Sequence, residues 1–348
     1  MDVRNSGRPL QSKYKVPPYI VASPGFSQRS WPRWWRNTGQ VPYTILAKAA
    51  RLRLFGKHPA GVFFQLNKRI WEIIPSDVRN SYHIRAYGAW LQGLARLVAT
   101  RRQYFRTFFL RNRPALELMR RLADERPKGS TLRIAVFGCS IGAEVYSILW
   151  TIRLARPDLK VLVRAVDISQ EILNFAKKGI YAPDTCELVD ALIFERLTAH
   201  EMQEMFDWEG DHATVKSWLR EGITWQLADA SSLELTDVLG PQDIVVANNF
   251  LCHMEPVVAE ICLRNIAGLV DRGGCLFVSG VDLEVRAKLA RELGWRPIPE
   301  LLEQIHDGDP ELRGGWPLDW WGLEPLNRRR CDWQLRYAAA FQSIQAIE

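Results

Sequence analysis

The feature that most constrains this chain is a glycine turn between a strand and a helix, followed by an acidic residue at the end of the next strand. Leu132–Phe137 is apolar and strand-like, Gly138-Cys139-Ser140-Ile141-Gly142 is a turn, and a helical pattern runs from about Ala143 to Arg156. Lys160–Val166 is a second strand, and it terminates in Asp167, 25 residues after Gly142. A glycine-rich turn at this place lets a ligand lie against bare backbone, because no Cβ obstructs it. An acidic side chain at the adjacent strand end can accept both hydroxyl protons of a ribose.

The alternation continues. Ser169 to Lys178 reads as a helix with Gly179 placed to end it, and Ile223–Ala228, Asp243–Ala247 and Cys275–Ser279 read as strands. A helix from Pro256 to Val270 precedes the last of these, and Trp333–Ile344 is expected to add final antiparallel strands. Short apolar strands alternating with helices are the signature of an α/β fold with a doubly wound parallel sheet. Ahead of it, Val62, Phe63, Leu66, Ile70 and Ile73 fall at three- and four-residue steps up to Pro75. Ile84, Tyr87, Trp90, Leu91, Leu94 and Leu97 mark another amphipathic helix. The expected organisation is therefore an extended Trp-, Arg- and Pro-rich arm over residues 1–40, a basic helical region over 41–126, and an α/β domain over 131–348.

Charge divides the chain in the same place. Residues 1–130 hold 25 Lys and Arg against 6 Asp and Glu, whereas the remainder holds 21 against 33. A basic segment of this kind either meets an anionic partner or docks on the acidic domain behind it. Six cysteines lie scattered without a C-x-x-C pair, which fits a reducing cytoplasm and offers no metal site. The first 23 residues lack a signal-peptide apolar run, and no stretch reaches the roughly 18 apolar residues that span a bilayer. The 14 tryptophans cluster at Trp31, Trp34 and Trp35 and again at Trp316, Trp320 and Trp321, the usage of a lid or an interface.

Two cofactor classes use a glycine turn with a strand-end acid: dinucleotides and S-adenosylmethionine. The turn here is G-x-x-x-G, not G-x-G-x-x-G, which weakens the nicotinamide reading. From about Phe108 to Asp282 the sequence resembles the chemotaxis receptor methyltransferases, the CheR family, which are class I S-adenosylmethionine-dependent methyltransferases with a Rossmann-like sheet. The resemblance rests on five segments in order: Phe108-Phe109-Leu110-Arg111-Asn112, Gly138 through Ser147, Ala165-Val166-Asp167-Ile168 with Gly179-Ile180-Tyr181, Leu197 through Phe206, and Asp243 through Met254.

The resemblance implies the following roles. Gly138, Ser140 and Gly142 shape the turn under the methionine part of S-adenosylmethionine, and Glu144 faces its amino group. Asp167 holds the ribose, Ile168 packs on the adenine, Asp229 stands near the adenine edge and Asn249 near the methionyl end. Arg111 resembles an arginine that reaches toward an acceptor carboxylate, although Leu110 is inserted before it. His253, Ala143 and Asn248 replace a tyrosine, a glutamate and an arginine of the family pattern. No metal is implied.

The chemistry of the acceptor stays open at this stage. A carboxylate of a protein or an acidic metabolite is already ionised and needs only orientation, which Arg111 can supply. A hydroxyl or ammonium on a small molecule or glycan must lose a proton, for which His253 and Asp282 are the candidate bases. A cofactor-binding module without turnover is a third reading. Nucleic acid is disfavoured as an acceptor, since Ala247-Asn248-Asn249-Phe250 stands where a base-flipping N-P-P-Y pocket would.

Overall fold

Strand β1 (Thr131–Phe137) is the third strand of a seven-stranded sheet in the computed structural model, which describes residues 59–98, 107–182 and 191–343. The expected arm over residues 1–40, with Trp31, Trp34 and Trp35, lies outside the described residues. The sheet order is β6 (Ile223–Leu227), β2 (Lys160–Asp167), β1, β7 (Gln242–Asn248), β8 (Val270–Ser279), β10 (Ala340–Gln342) and β9 (Arg296–Pro297). The first five are parallel, and β10 runs antiparallel to both β8 and β9. The chain travels outward from β1 through β2 to β6 and then returns to β7 on the other side of β1. Open α/β sheets form their binding crevice at such a reversal, beyond the carboxyl ends of the strands.

Register sets the contents of that crevice. Phe137 pairs with Val166 on one side and Ala247 on the other, and Asn248 pairs with Ser279. Gly138, Asp167, Asn249 and Gly280 therefore leave the sheet together along one rim. Helices α3 (Arg113–Asp124), α4 (Ala143–Ala155) and α5 (Gln170–Lys178) cover one face, while α6 (Pro256–Ala267) and α7 (Leu283–Glu292) cover the other. Val163, Val246 and Phe277 with Leu149 and Met119 belong to the first core; Ala135, Val245 and Val278 with Leu263 and Leu289 belong to the second. A strand buried on both faces reads as a continuous apolar run, which is why the central strands were legible.

Local chemistry ends the helices where the sequence places their signals. The Asn112 side chain accepts from Ala115 N–H at 3.2 Å to cap α3, and Ser169 does the same for α5 from Ile172 N–H at 3.4 Å. Gly179 stops α5 with φ of 63°, a conformation that costs glycine nothing. Each cap is worth about 1 kcal/mol.

Three features depart from the expectation. A second small sheet, β3 (Ile180–Tyr181), β5 (His212–Val215) and β4 (Phe206–Glu209), packs beside the main one. Its strands are too short to show a period, and an aromatic cluster of Phe109, Tyr181, Phe194 and Phe206 fastens them. The segment expected to give final strands begins instead as a helix, Trp333–Tyr337, and only Ala340–Gln342 pairs with β8. Arg336 and Tyr337 are tied there by Glu324, at 2.8 and 2.7 Å.

The third departure lies in the basic region. Helix α1 (Pro59–Ile73) has the expected period but exposes Val62, Leu66, Ile70 and Ile73; Trp71 and Asn67 are the buried residues. Trp71 meets Trp316 edge-on at 5.2 Å. The indole of Trp316 also lies over Gly88 of α2 (Tyr82–Val98), leaving no room there for a Cβ. Arg85 donates to the carbonyls of Pro325 and Leu326, and Gln92 to that of Gly322. Arg113 pairs with Glu201 and Arg126 with Asp243. Part of the basic charge is thus met by the acidic domain itself. No helix among the described residues is long and apolar enough to cross a membrane.

Candidate active site

The glycine turn is held by the buried side chains of Asp167 and Tyr181, while buried Tyr146 ties α4 to α5. Asp167 accepts from the backbone N–H of Ser140 at 2.9 Å with one oxygen and from that of Ser169 at 3.1 Å with the other. Tyr181 donates to the carbonyl of Ile141 at 2.6 Å, and Tyr146 to that of Ala176 at 2.7 Å. Gly138, Ser140 and Gly142 all have positive φ, at 60°, 50° and 90°. A Cβ on Gly138 would stand 2.8 Å from the Phe250 ring, so bare backbone is required there.

Around this turn the expected cofactor residues are disposed as follows. Burial raises the pKa of the Asp167 carboxyl, and the backbone donors pull it back, so the group is worth most as an anion with an additional donor upon it. A carboxylate has about four acceptor positions, and the two backbone bonds leave room for a diol. Ile168, the next residue, exposes nearly half of its side chain at the end of β2. Asp229 stands in the exposed loop after β6, where its carboxylate accepts from the N–H and O–H of Ser231, both at 2.8 Å. Asn249 has a left-handed backbone, φ 58°, and its N–H is bonded to the Ser279 carbonyl at 3.0 Å. Gly280 makes this possible, since a Cβ there would lie 2.6 Å from Asn249 Cα.

Glu144, in the first turn of α4, receives a hydrogen bond from Asn248 Nδ2 at 2.8 Å. Burial pushes its pKa up, while Asn248 and the charge of Arg111 oppose the shift. This arrangement suits the donor group that the resemblance implies: an ammonium at Glu144, a ribose at Asp167, and a flat ring along Ile168.

Beside Glu144 lies a cavity of about 50 Å³, large enough for a few waters, whose lining includes Phe108, Arg111, Asn249, Phe277 and Tyr337. Arg111 reaches it because Leu110, the inserted residue, takes a left-handed backbone with φ of 51° and buries its side chain in the core. Its amide is bonded to Ser147 Oγ at 3.0 Å. Arg111 Nε donates to Asp309 at 2.6 Å, and the guanidinium groups of both Arg111 and Arg196 lie over the Phe108 ring, 5.7 and 4.6 Å from its centroid.

Residues 106–287 match the family model described as the CheR methyltransferase, SAM binding domain. The chain belongs to the CheR methyltransferase family. The CheR match covers all the residues that the resemblance assigns to the cofactor, and the cofactor is S-adenosylmethionine. An uncharacterized 104.1 kDa protein in the hypE 3'region of Rhodobacter capsulatus is 26 % identical over 173 residues, 48 % of this chain and 17 % of that protein. The chain thus spans about a sixth of the length of that curated relative. Among solved structures, it is similar to magnesium protoporphyrin IX methyltransferase of Synechocystis PCC 6803 with bound SAM, at 17 % identity and TM-score 0.30, over 53 % of this chain and 71 % of that one. It is also similar to an O-methyltransferase family protein of Burkholderia thailandensis, at 14 % identity and TM-score 0.33, over 83 % and 71 %.

The three catalytic candidates of this CheR-family chain are spread over two adjoining clefts that share Gly280, Leu312 and Leu323. Arg111 lines the cavity next to Glu144. Asp282 lines a second, smaller cleft with Cys252, Trp320 and Trp321, where it pairs with Arg96 at 2.7 Å and caps α7. His253, in the turn Leu251–His253, meets Trp320 of that cleft edge-on at 5.4 Å. Asn248 and Asp309 were not foreseen in the roles they fill. Asn248 was visible as a departure at the strand end, but Asp309 lies nearly 200 residues from the arginine it holds, beyond the reach of any local pattern. Arg328 and Arg330 pair with Glu303 and Asp332, and the buried Cys139 thiol is pushed well above its usual range, which removes it as a nucleophile.

Proposed function

We propose that the protein transfers the methyl group of S-adenosylmethionine to a carboxylate oxygen of its acceptor, on a protein or an acidic metabolite. The observation that supports this most is the placement of Arg111 in the same cavity as Glu144 and Asn249. The candidate bases that a hydroxyl acceptor would need, Asp282 and His253, border the adjoining cleft and are not among the residues lining the cavity, and Asp282 is already engaged by Arg96.

The cofactor supplies a methyl group on a sulfonium, which passes by in-line displacement to the acceptor oxygen. Arg111 orients the incoming carboxylate through its fork of N–H donors, and Asp309 fixes the plane of that fork. Glu144 and Asn248 hold the cationic end of the donor. Phe108, Leu116, Phe277 and Leu323 keep water from the reacting pair. A carboxylate meeting a sulfonium leaves two neutral products, so a dry wall favours the charge-dispersed transition state over the separated ions.

Transfer of labelled methyl into a fractionated extract, followed by mild alkali, tests the reading. Label released as methanol is the expected result. Alkali-stable label in a small-molecule or glycan fraction would overturn the carboxylate assignment and return His253 and Asp282 as candidate bases.

A further inference from the structure

Arginine is almost never fully buried without a carboxylate. Arg286, in the first half of α7, is 2 % exposed and lines the cavity beside Glu144. Its terminal nitrogens donate to two backbone carbonyls, Val278 at 3.0 Å and Arg336 at 2.8 Å. That uses two of its five N–H donors, and Nε is buried with no hydrogen-bond partner. Two other arginines have a buried Nε without a partner, but Arg126 has Asp243 and Arg336 has Glu284 and Glu324. Among the described residues no carboxylate lies within ion-pair distance of Arg286.

The rest of the cavity does not balance this charge. Asp309 is taken by Arg111, and Glu144 is turned to Asn248 and faces the donor. His306, also in the lining, is held neutral, its pKa pulled down to about 3 by burial and the neighbouring Arg313 and Arg286. Burial with Arg336 beside it lowers Arg286 only to about 9, so it remains a cation at neutral pH.

We infer that Arg286 is the anchor for an anionic group of the acceptor, binding a carboxylate inside the cavity through its unused N–H donors. This rests on the reading of the cavity as the acceptor site of a methyltransferase, and it adds a specificity residue that lies beyond the five motif segments, near the end of the matched residues 106–287. An acceptor lacking an anion would leave this guanidinium desolvated and uncompensated, so the cavity selects against neutral acceptors as well as for charged ones.

The full chain labelled with ¹⁵N-arginine and saturated with S-adenosylhomocysteine provides the test. The Arg286 Nε–H resonance is assigned by its loss in Arg286→Lys, and N-acetylglutamate is then titrated against its diamide and against chloride. A saturable downfield shift with the carboxylate, absent with the diamide and with chloride, is expected. No shift with the carboxylate, or an equal one with the diamide or chloride, would overturn the anchor, while retained S-adenosylhomocysteine binding would leave the methyltransferase reading standing. A protein that does not bind S-adenosylhomocysteine would instead remove that reading. The titration itself is made on the native residue, and the variant serves only to assign the resonance.

Discussion

Asp167 holds Ser140 in a left-handed conformation: the carboxylate at the end of β2 accepts the Ser140 N–H at 2.9 Å across 27 residues of chain. The residue expected to hold the ribose is therefore also what shapes the turn beneath the rest of the cofactor. Positive φ at a residue with a Cβ persists only where the surroundings impose it, and here the imposing group is the ligand-binding group itself.

Gly280→Ala should be among the most damaging single-methyl additions in the protein. The new Cβ would meet Asn249 Cα at 2.6 Å and its Oδ1 at 2.7 Å, at a backbone φ of 58° that alanine resists. A loss of about 2 kcal/mol in stability is expected from overpacking and strain together, read by denaturant unfolding. Gly273→Ala is the comparison, since it has a positive φ but nothing within 4 Å of its Cβ.

Arg111→Lys should lower turnover by at least ~10-fold while S-adenosylhomocysteine affinity changes less than ~2-fold. A lysine keeps the charge but loses the planar fork, and one charge-assisted hydrogen bond is worth about that factor. Calorimetry and a methyl-transfer assay separate the two quantities. Equal losses would place Arg111 in cofactor binding.

His253→Ala should reduce turnover by less than ~10-fold, because a carboxylate acceptor needs no general base. A fall on the order of 10²-fold or more, with binding unchanged, would identify His253 as a base and favour a hydroxyl or amine acceptor.

His306 should make the fold acid-sensitive. Its folded pKa, about 3, lies below the unfolded value of about 6.5, so the unfolded state binds the extra proton first. Stability from this group is full above pH 6.5 and is lost as pH falls toward 3, amounting to about 2 kcal/mol by pH 5. The melting temperature should drop over that window, and His306→Gln should flatten the drop.

The legible parts of this protein were those written in local pattern. The central strands show as apolar runs because both faces are buried, and the turn with its strand-end acid shows because glycine and aspartate have few alternatives there. Helix α1 illustrates the limit. Its period was visible, yet the face it buries was decided by Trp71 meeting Trp316, 245 positions away. Arg111 was found through motif order, whereas Asp309, which fixes it, and Arg286, which shares its cavity, carry no spacing signal. A buried arginine in a helix with alternating charges looks like a solvated one until the packing is seen.

Asp167 offers the most direct measurement. Calorimetric titration of the full chain with S-adenosylhomocysteine should show one site per chain, and Asp167→Ala should bind at least ~10-fold more weakly, the scale of about one charge-assisted hydrogen bond. Unchanged affinity in a folded Asp167→Ala would contradict the account, because neither the ribose contact nor the shaped Ser140 turn would then be holding the cofactor.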